Sequence, residues 1–200
     1  MAIDPQFPIV FIRHGETDWN KQGLIQGSID TDLNAQGHAQ AKAVAALLAL
    51  RAQEWADFQI IVSPQRRARQ TAGYVFAALS RSDHEIDHRV RELGFGVWEG
   101  KPFWELKDSP IYPADPEGRF FWRPEGGESY EDGVARITEW RAALTRPTLV
   151  ISHGAVGRCL MGSVAGLSPR ELVGLPTPQG AYCKLHNGQI DWFDAMDDRA

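Results

Sequence analysis

Short apolar runs separated by longer helical stretches are the feature that most constrains the fold of this chain. Four runs have the length and unbroken apolar character of strands buried on both faces of a sheet; they cover residues 8–12, 58–62, 148–151 and 181–185. Helical patterns fill the intervals, over residues 35–51, from Ser63 to about Leu79, after Ser129 and after Gly154. Strands that alternate with helices predict an α/β sandwich around a mostly parallel sheet.

Two details of the helical segments are specific enough to be tested. Ser63 and Pro64 are predicted to start the second helix, as its N-cap and its first-turn proline. Gly133 and Gly157 fall inside predicted helices, where each costs about 1 kcal/mol relative to alanine.

Residues 94–127 interrupt the alternation of strands and helices. This stretch is rich in proline, glycine and aromatic residues, which need burial, so we interpret it as an insertion packed over one end of the sheet. A length of 200 residues fits one domain, 1–200, with this insertion as a lid. Most of its aromatic side chains are expected to form a small core of the lid itself: Phe95, Trp98, Phe103, Trp104, Tyr112, Phe120, Phe121 and Trp122.

Composition narrows the classes of function. A formal net charge of −5 argues against sequence-independent nucleic-acid binding. No apolar run approaches the ~18 residues of a membrane span, and the N-terminus lacks the pattern of a signal peptide. Cys159 and Cys183 fit no metal or redox spacing and are expected to be reduced and buried. These observations predict a cytoplasmic protein without membrane or nucleic-acid partners, and leave a homodimer open.

Basic side chains and histidines follow three of the predicted strands. Arg13 and His14 come directly after the first, Arg66, Arg67 and Arg69 lie just beyond the second, and His153 follows the last of the three. In open α/β sheets ligands bind beyond the carboxyl ends of the strands. Helix N-termini at that edge add N–H donors, and guanidinium groups match phosphate oxygens in pairs. The pattern therefore predicts a phosphate site.

The residue types at this edge suit phosphoryl transfer through histidine. A neutral imidazole can attack phosphorus, a second histidine can stabilise the transition state, and a carboxylic acid can protonate the leaving oxygen. Glu92, just after a short predicted strand, is the leading candidate for that acid. A metal site built on His14, His153, Glu16 and Glu92 has no supporting spacing, and the neighbouring arginines would repel a cation. We therefore expect neither a metal nor an organic cofactor.

At these residues the sequence resembles the histidine phosphatase superfamily, which has a phosphoglycerate-mutase-like fold. The resemblance covers roughly residues 9–166. It is carried by FIRHGETDWN (11–20), Gln26-Gly27, TDLNAQGHAQA (31–41), SPQRRARQTA (63–72), RELGFGVWEG (91–100), GGES (126–129) and ISHGAVGR (151–158). It implies a three-layer α/β/α sandwich with a lid inserted near the active site.

The resemblance also implies roles for individual residues. His14 becomes the nucleophile and Glu92 the general acid. The phosphate is surrounded by Arg13, Asn20, Arg67 and His153, and the pocket is lined by Gln26, Gly27 and Ala155. The chain departs from the family at Ala155, which replaces the second glycine of the common SHGG pattern. We expect a helix start to accommodate this alanine without strain.

Three functions remain open from the sequence. The segment Glu92-Leu93-Gly94-Phe95-Gly96 resembles the phosphatase branch and not the Glu-Arg-His-Tyr-Gly of cofactor-dependent phosphoglycerate mutases. We therefore predict a phosphatase that acts through a phosphohistidine on a small-molecule phosphate ester. The alternatives are a mutase-type phosphoryl transferase and a pseudoenzyme that only binds phosphorylated ligands.

Overall fold

The computed structural model describes residues 7–194. Its strands are β1 Ile9–Arg13, β2 Gln59–Val62, β3 Glu85–Ile86, β4 Thr148–Ser152, β5 Ala181–His186 and β6 Gln189–Asp194. Its helices are α1 Asp18–Lys21, α2 Ala35–Ala49, α3 Arg66–Leu79, α4 Phe103–Asp108, α5 Pro116–Phe121, α6 Tyr130–Ala142, α7 Gly154–Ala165 and α8 Pro169–Gly174. Each of these helices is too short or too polar to cross a lipid bilayer.

The sheet is ordered β3-β2-β4-β1-β5-β6. Strands β3, β2, β4 and β1 pair in parallel, whereas β5 is antiparallel to β1 and β6 to β5. The predicted parallel character therefore holds for the strands that carry the candidate site residues, but not for residues 181–185. Strand β6 was not predicted, because its residues are half-exposed or exposed and form no apolar run. The Asn187-Gly188 turn before it, with φ of 52° and 77°, is a hairpin signal that would have found it.

Helices cover both faces of the sheet, as the resemblance implied. Side chains alternate along β1, so that Ile9 and Phe11 join a core with α6 and α7, while Val10 and Ile12 join a core with α2 and α3. Because both faces are covered, all four of these side chains are fully buried. Double-sided burial explains why the strand reads as an unbroken apolar run.

The predicted start of the second helix is wrong by two residues. Its N-cap is Gln65, and α3 begins at Arg66. Ser63 instead extends the sheet, since its N–H donates to the Ile151 carbonyl oxygen at 3.0 Å. The Ser63 hydroxyl bonds to His153 at 2.6 Å, and its bond from the Gln65 N–H is long, at 3.4 Å.

Residues 94–127 contain α4, α5 and a 3-10 turn at Gly96–Trp98, and α5 packs against α6 and α8. The expected aromatic core of this segment is only partly present. Phe120 is buried, but Phe103, Trp104 and Phe121 are exposed to solvent. Four of the eight aromatic side chains instead line a cavity: Phe95, Phe103, Tyr112 and Trp122. The role of the segment as a lid stays a prediction.

Candidate active site

His14 and His153 lie side by side because they follow two paired strands. β1 and β4 run in register with Arg13 opposite Ser152, and the His14 N–H donates to the Ser152 carbonyl oxygen at 2.9 Å. The next residue of each strand therefore emerges at the same edge, where the two imidazole centroids lie 5.1 Å apart. The predicted pairing of the two histidines is thus a consequence of strand register.

The His14 imidazole is held in the tautomer that a nucleophile needs. Its Nδ1 lies 2.7 Å from the Gly15 carbonyl oxygen, a partner that only accepts, so Nδ1 carries the proton and Nε2 keeps its lone pair. Burial, and then the positive charges of Arg67 and Arg13, lower the pKa of His14 well below its ordinary 6.5. The ring is therefore neutral at neutral pH.

His153 is oriented by Ser63, which the sequence predicted as a helix cap. Its Nε2 lies 2.6 Å from the Ser63 hydroxyl oxygen, which accepts a long hydrogen bond from the Gln65 N–H at 3.4 Å. The hydroxyl can donate to Nε2, and in that arrangement Nδ1 carries the proton. Burial and the charge of Arg67 lower the pKa of His153 well below 6.5.

Arg67 and Arg13 are fixed by carbonyl oxygens and not by carboxylates. Arg67 donates to the carbonyls of Ile29 at 2.8 Å and Gly27 at 3.0 Å, and Arg13 donates to that of Thr177 at 2.7 Å. Carbonyl partners orient a guanidinium without neutralising its charge. The charges of both arginines are therefore available to an anion.

Three buried donors at this site have no hydrogen-bond partner within residues 7–194: Arg13 Nε, Arg67 Nε and His153 Nδ1. Buried donors without partners are costly and rare in folded proteins. Arg13 and Arg67 line one pocket with His14, and the His153 ring lies beside that of His14, an arrangement that suits an oxygen-rich ligand.

Arg67 differs from its neighbours Arg66 and Arg69 in burial. Its side chain is fully buried, whereas Arg66 and Arg69 are exposed. Arg66 forms an ion pair with Asp32 at 2.8 Å, in which both side chains are about half exposed (58% and 49%). Only Arg67 is placed to reach the pocket.

The Glu92 carboxylate is docked on the first turn of α7. It accepts hydrogen bonds from the N–H groups of Ala155 at 3.2 Å, Val156 at 3.1 Å and Leu93 at 3.1 Å. Ala155 sits within the helix, and its φ is not positive, so replacement of the family's glycine creates no backbone strain. Its amide binds Glu92, which makes Ala155 a support for the candidate acid as well as part of the cavity wall.

The remaining predicted residues line the catalytic pocket, which has a volume of about 230 Å³. The Asn20 side-chain oxygen accepts from the Thr17 N–H at 3.1 Å in a capping box, and that of Gln26 accepts from the Thr31 hydroxyl at 2.6 Å. Gly27 has a φ of +51°, and a Cβ there would lie 2.1 Å from a Glu99 carboxylate oxygen. Its carbonyl anchors Arg67, so Gly27 contributes through its backbone.

Two supporting residues were not singled out from the sequence. The Gln65 side chain joins two loops, since its Nε2 donates to the Gly27 carbonyl at 2.9 Å and its Oε1 accepts from the Glu92 N–H at 2.8 Å. The Glu99 carboxylate accepts from the backbone N–H groups of Ser28 at 2.7 Å and Phe95 at 2.9 Å. Both lie inside the motifs that carry the resemblance, which was the only available signal. Within residues 7–194 no three His, Cys, Asp or Glu side chains are grouped as a metal site.

The fold and this site together define a class of protein. The α/β sandwich brings together two neutral histidines, two guanidinium groups and a docked carboxylate at the carboxyl edge of its sheet. This combination is typical of an enzyme that acts on phosphate groups. The chain matches the model of the histidine phosphatase superfamily (branch 1) over residues 9–193, and it belongs to that family.

Relatives in this family carry the names of two activities. A glucosyl-3-phosphoglycerate phosphatase of Mycolicibacterium vanbaalenii is 34% identical over 177 residues, which cover 80% of this chain and 74% of the relative. A 2,3-bisphosphoglycerate-dependent phosphoglycerate mutase of Mesorhizobium japonicum is 31% identical over 188 residues, 86% of this chain and 88% of the relative.

Solved structures agree with the fold. A mycobacterial glucosyl-3-phosphoglycerate phosphatase in complex with VO3 has a TM-score of 0.76 and 27% identity, over 93% of this chain and 96% of the other. A phosphoserine phosphatase from Entamoeba histolytica bound to phosphoserine has a TM-score of 0.78 over 98% of this chain and all of the other (100%). At 22% identity the latter likeness concerns the fold alone.

Proposed function

We propose that this protein is a phosphatase that hydrolyses a small-molecule phosphate monoester through a phosphohistidine on His14. The observation that carries the proposal is the neutral His14 ring, whose Nδ1 is bonded to the Gly15 carbonyl and whose Nε2 has no hydrogen-bond partner within residues 7–194. Two arginines that form no ion pair with a carboxylate of the described residues share its pocket with the docked Glu92 carboxylate.

In the first step the ester phosphate binds Arg13, Arg67 and the Nδ1–H of His153. His14 Nε2 attacks phosphorus, and an N–P bond forms as the bond from phosphorus to the leaving oxygen breaks. Glu92, in its protonated form, gives its proton to that oxygen, so the leaving group departs as a neutral alcohol. The arginines stabilise the charge on the oxygens that do not react.

In the second step water takes the phosphoryl group from His14. The Glu92 carboxylate accepts a proton from the attacking water, and the N–P bond breaks as a new O–P bond forms. Inorganic phosphate leaves, His14 regains its lone pair, and Glu92 is again protonated. The cycle needs no group beyond the side chains of the pocket.

A mutase is the second candidate, because relatives about equally similar to this chain carry that name. A mutase must pass the phosphoryl group to a second hydroxyl while water is excluded. Incubation with 3-phosphoglycerate, with and without 2,3-bisphosphoglycerate, separates the two in a phosphorus NMR assay. We expect inorganic phosphate, and the appearance of 2-phosphoglycerate in its place would favour the mutase.

Rapid-quench labelling tests the intermediate. Wild-type protein mixed with a labelled phosphate ester should acquire acid-labile, base-stable phosphate, whereas His14→Ala should acquire none and lose turnover. His186→Ala is the matched control, since His186 is an exposed histidine away from the pocket. Near-normal turnover by His14→Ala would overturn the mechanism, and tight binding without turnover by the wild type would favour a pseudoenzyme.

We also propose that the protein works in the cytoplasm. Cys159 and Cys183 are buried free thiols, which suits a reducing compartment.

A further inference from the structure

A cavity of about 350 Å³ beside the catalytic pocket concentrates positive charge, in a chain whose net charge is −5. Its charged lining consists of Arg13, Glu92, Arg119, Glu128, Arg158 and Arg170. Arginine clusters of this kind focus the local field and attract anions.

Neither carboxylate in the lining neutralises the three arginines that lie away from the catalytic pocket. Glu128 forms ion pairs with Arg91 and Arg136, both at 3.1 Å, and Glu92 is bound by backbone N–H groups. Within residues 7–194, no ion pair joins Arg119, Arg158 or Arg170 to a carboxylate.

Neutral partners hold two of these arginines in place. Arg158 donates to the Leu175 carbonyl at 2.7 Å and to the Tyr130 hydroxyl at 3.2 Å. Arg119 donates to the Pro113 carbonyl at 2.9 Å and packs over the Tyr112 ring, 5.3 Å from its centroid. Arg170 is exposed at the rim. These neutral partners fix the guanidinium groups of Arg158 and Arg119 at the cavity without neutralising their positive charge.

The cavity also has an apolar wall. It is formed by the aromatic side chains of Phe95, Phe103, Tyr112 and Trp122. Aromatic faces offer apolar contact to the carbon skeleton of a ligand. A wall of this kind beside free guanidinium groups suits a ligand that is organic and anionic at once.

The catalytic pocket and the larger cavity adjoin where the proposed mechanism places the bond between phosphorus and the leaving oxygen. Arg13 and Glu92 line both the catalytic pocket and the larger cavity. If the phosphate lies against His14, the proposed proton donor Glu92 marks the leaving oxygen, and the leaving group extends into the larger cavity.

From this placement we propose that the leaving group of the natural ester carries a second anionic group, a carboxylate or a second phosphate, bound by Arg158 with Arg170 and Arg119. The proposal rests on the proposed function, because it assigns the larger cavity to the leaving group. It predicts discrimination between esters that share a phosphate and a carbon skeleton and differ only in that charge.

Two esters form the matched pair for the carboxylate. 3-Phosphoglycerate and glycerol 3-phosphate have the same skeleton, with a carboxylate in one and a hydroxymethyl group in the other. Titration calorimetry on the His14→Ala protein measures binding without turnover. We expect 3-phosphoglycerate to bind at least about tenfold more tightly. Fructose 1,6-bisphosphate against fructose 6-phosphate forms the corresponding arm for a second phosphate.

Adding Arg158→Gln to the His14→Ala protein should reduce the ratio of affinities within each pair to near one, while the affinity for the member without the second anionic group stays. Arg170→Gln should reduce the ratio in part with the fold intact, because its side chain is exposed and forms no ion pair within residues 7–194. Arg146→Gln is the matched control, an exposed arginine near the start of β4, at the opposite edge of the sheet.

The outcomes separate this proposal from the proposed function. Equal affinity for both members of both pairs would overturn the second anion site and leave the phosphatase intact. Unchanged ratios in both the Arg158→Gln and the Arg170→Gln variants would overturn the assignment to these arginines. Failure of every ester to bind would overturn the proposed function, and the second anion site with it.

Discussion

At the scale of single residues, the surroundings of each arginine decide its function. Arg67 is buried and bonded to carbonyls, so its charge faces the pocket. Arg66, its neighbour in sequence, points to solvent and is paired with Asp32. Exposed pairs of that kind contribute ~0–1 kcal/mol to stability. One position along the helix thus separates a guanidinium that lines the pocket from a solvated one.

These two neighbouring arginines should respond differently to substitution. Arg67→Gln should lower kcat/KM for a phosphate ester by about 10²-fold or more, because it removes a donor aimed at the transition state. Arg66→Gln should change it less than about twofold. Steady-state kinetics at matched protein concentration measure both variants, with circular dichroism as the check on folding.

Arg67→Lys guards against misfolding as the cause, since it keeps the charge and loses only the paired geometry. Lysine should recover part of the activity. An essential Arg66 beside a dispensable Arg67 would contradict the placement of the second motif.

The prediction for Glu92 concerns the leaving group. Glu92→Gln keeps the size of the side chain and, through its one remaining oxygen, part of its contact with the first turn of α7, but it cannot donate the proton that an alkoxide needs. Single-turnover formation of phosphorylated His14 should fall strongly with alkyl phosphates and much less with p-nitrophenyl phosphate, whose leaving group needs little protonation. Rapid quench measures this step before hydrolysis. Equal losses for the two substrates would mean that Glu92 acts only as structural support.

At the scale of elements, close packing explains a glycine that seemed unfavourable from the sequence. Gly157 lies within α7, but a Cβ there would lie 2.3 Å from the Phe11 ring of β1. The missing side chain allows α7 to approach the sheet, and that approach places the α7 N-terminus under Glu92. Glycine at this position costs about 1 kcal/mol in helix propensity, but it allows α7 to lie close enough to the sheet for its first turn to bind Glu92.

This packing predicts that Gly157→Ala destabilises the fold by about 1–3 kcal/mol, because steric overlap in the core exceeds the gain in helix propensity. Gly73→Ala is the matched control within α3. Nothing lies within 4 Å of its would-be Cβ, so it should stabilise the protein by up to ~1 kcal/mol. Urea denaturation gives both free energies of unfolding. Stabilisation by both substitutions would contradict the close approach of α7 to β1.

At the scale of the whole molecule, the buried histidines link the site to global stability. The pKa values of His14 and His153 lie well below 6.5 in the folded state, whereas in the unfolded chain they lie near 6.5. Below pH 6.5 the unfolded state therefore binds more protons, and stability falls as the pH falls. Above that pH both states are neutral at these positions and the contribution is constant.

We expect the free energy of unfolding to decrease between pH 6.5 and 5.0 by up to about 1.4 kcal/mol per pH unit for each histidine. Denaturation in phosphate-free buffer measures the slope, and His14→Ala should reduce it by about half. Added inorganic phosphate should reduce the slope in the wild type, since a bound anion favours the charged imidazole. A flat profile over this range would contradict the neutral state of both rings.

The sequence by itself determined the four buried strands β1, β2, β4 and β5, the four longer helices α2, α3, α6 and α7, and the residues that emerge at the carboxyl edge of the sheet, because these depend on local periodicity and on the residues directly after each apolar run. It also determined the family, through motifs that lie in order along the chain. The wrong predictions also had local causes. Ser63 was predicted as a helix cap because its residue type suits that position, and β6 was missed because it has no continuous apolar face.

Only the tertiary structure decided which distant groups meet. The bond between Ser63 and His153 joins residues 90 positions apart, and the contact of Glu92 with α7 spans 64. Three arginines of the larger cavity, Arg119, Arg158 and Arg170, come from α5, α7 and α8 and share no motif. Side-chain proximity of this kind follows from how the elements pack, and packing depends on the whole set of core contacts, which no local pattern in the sequence records.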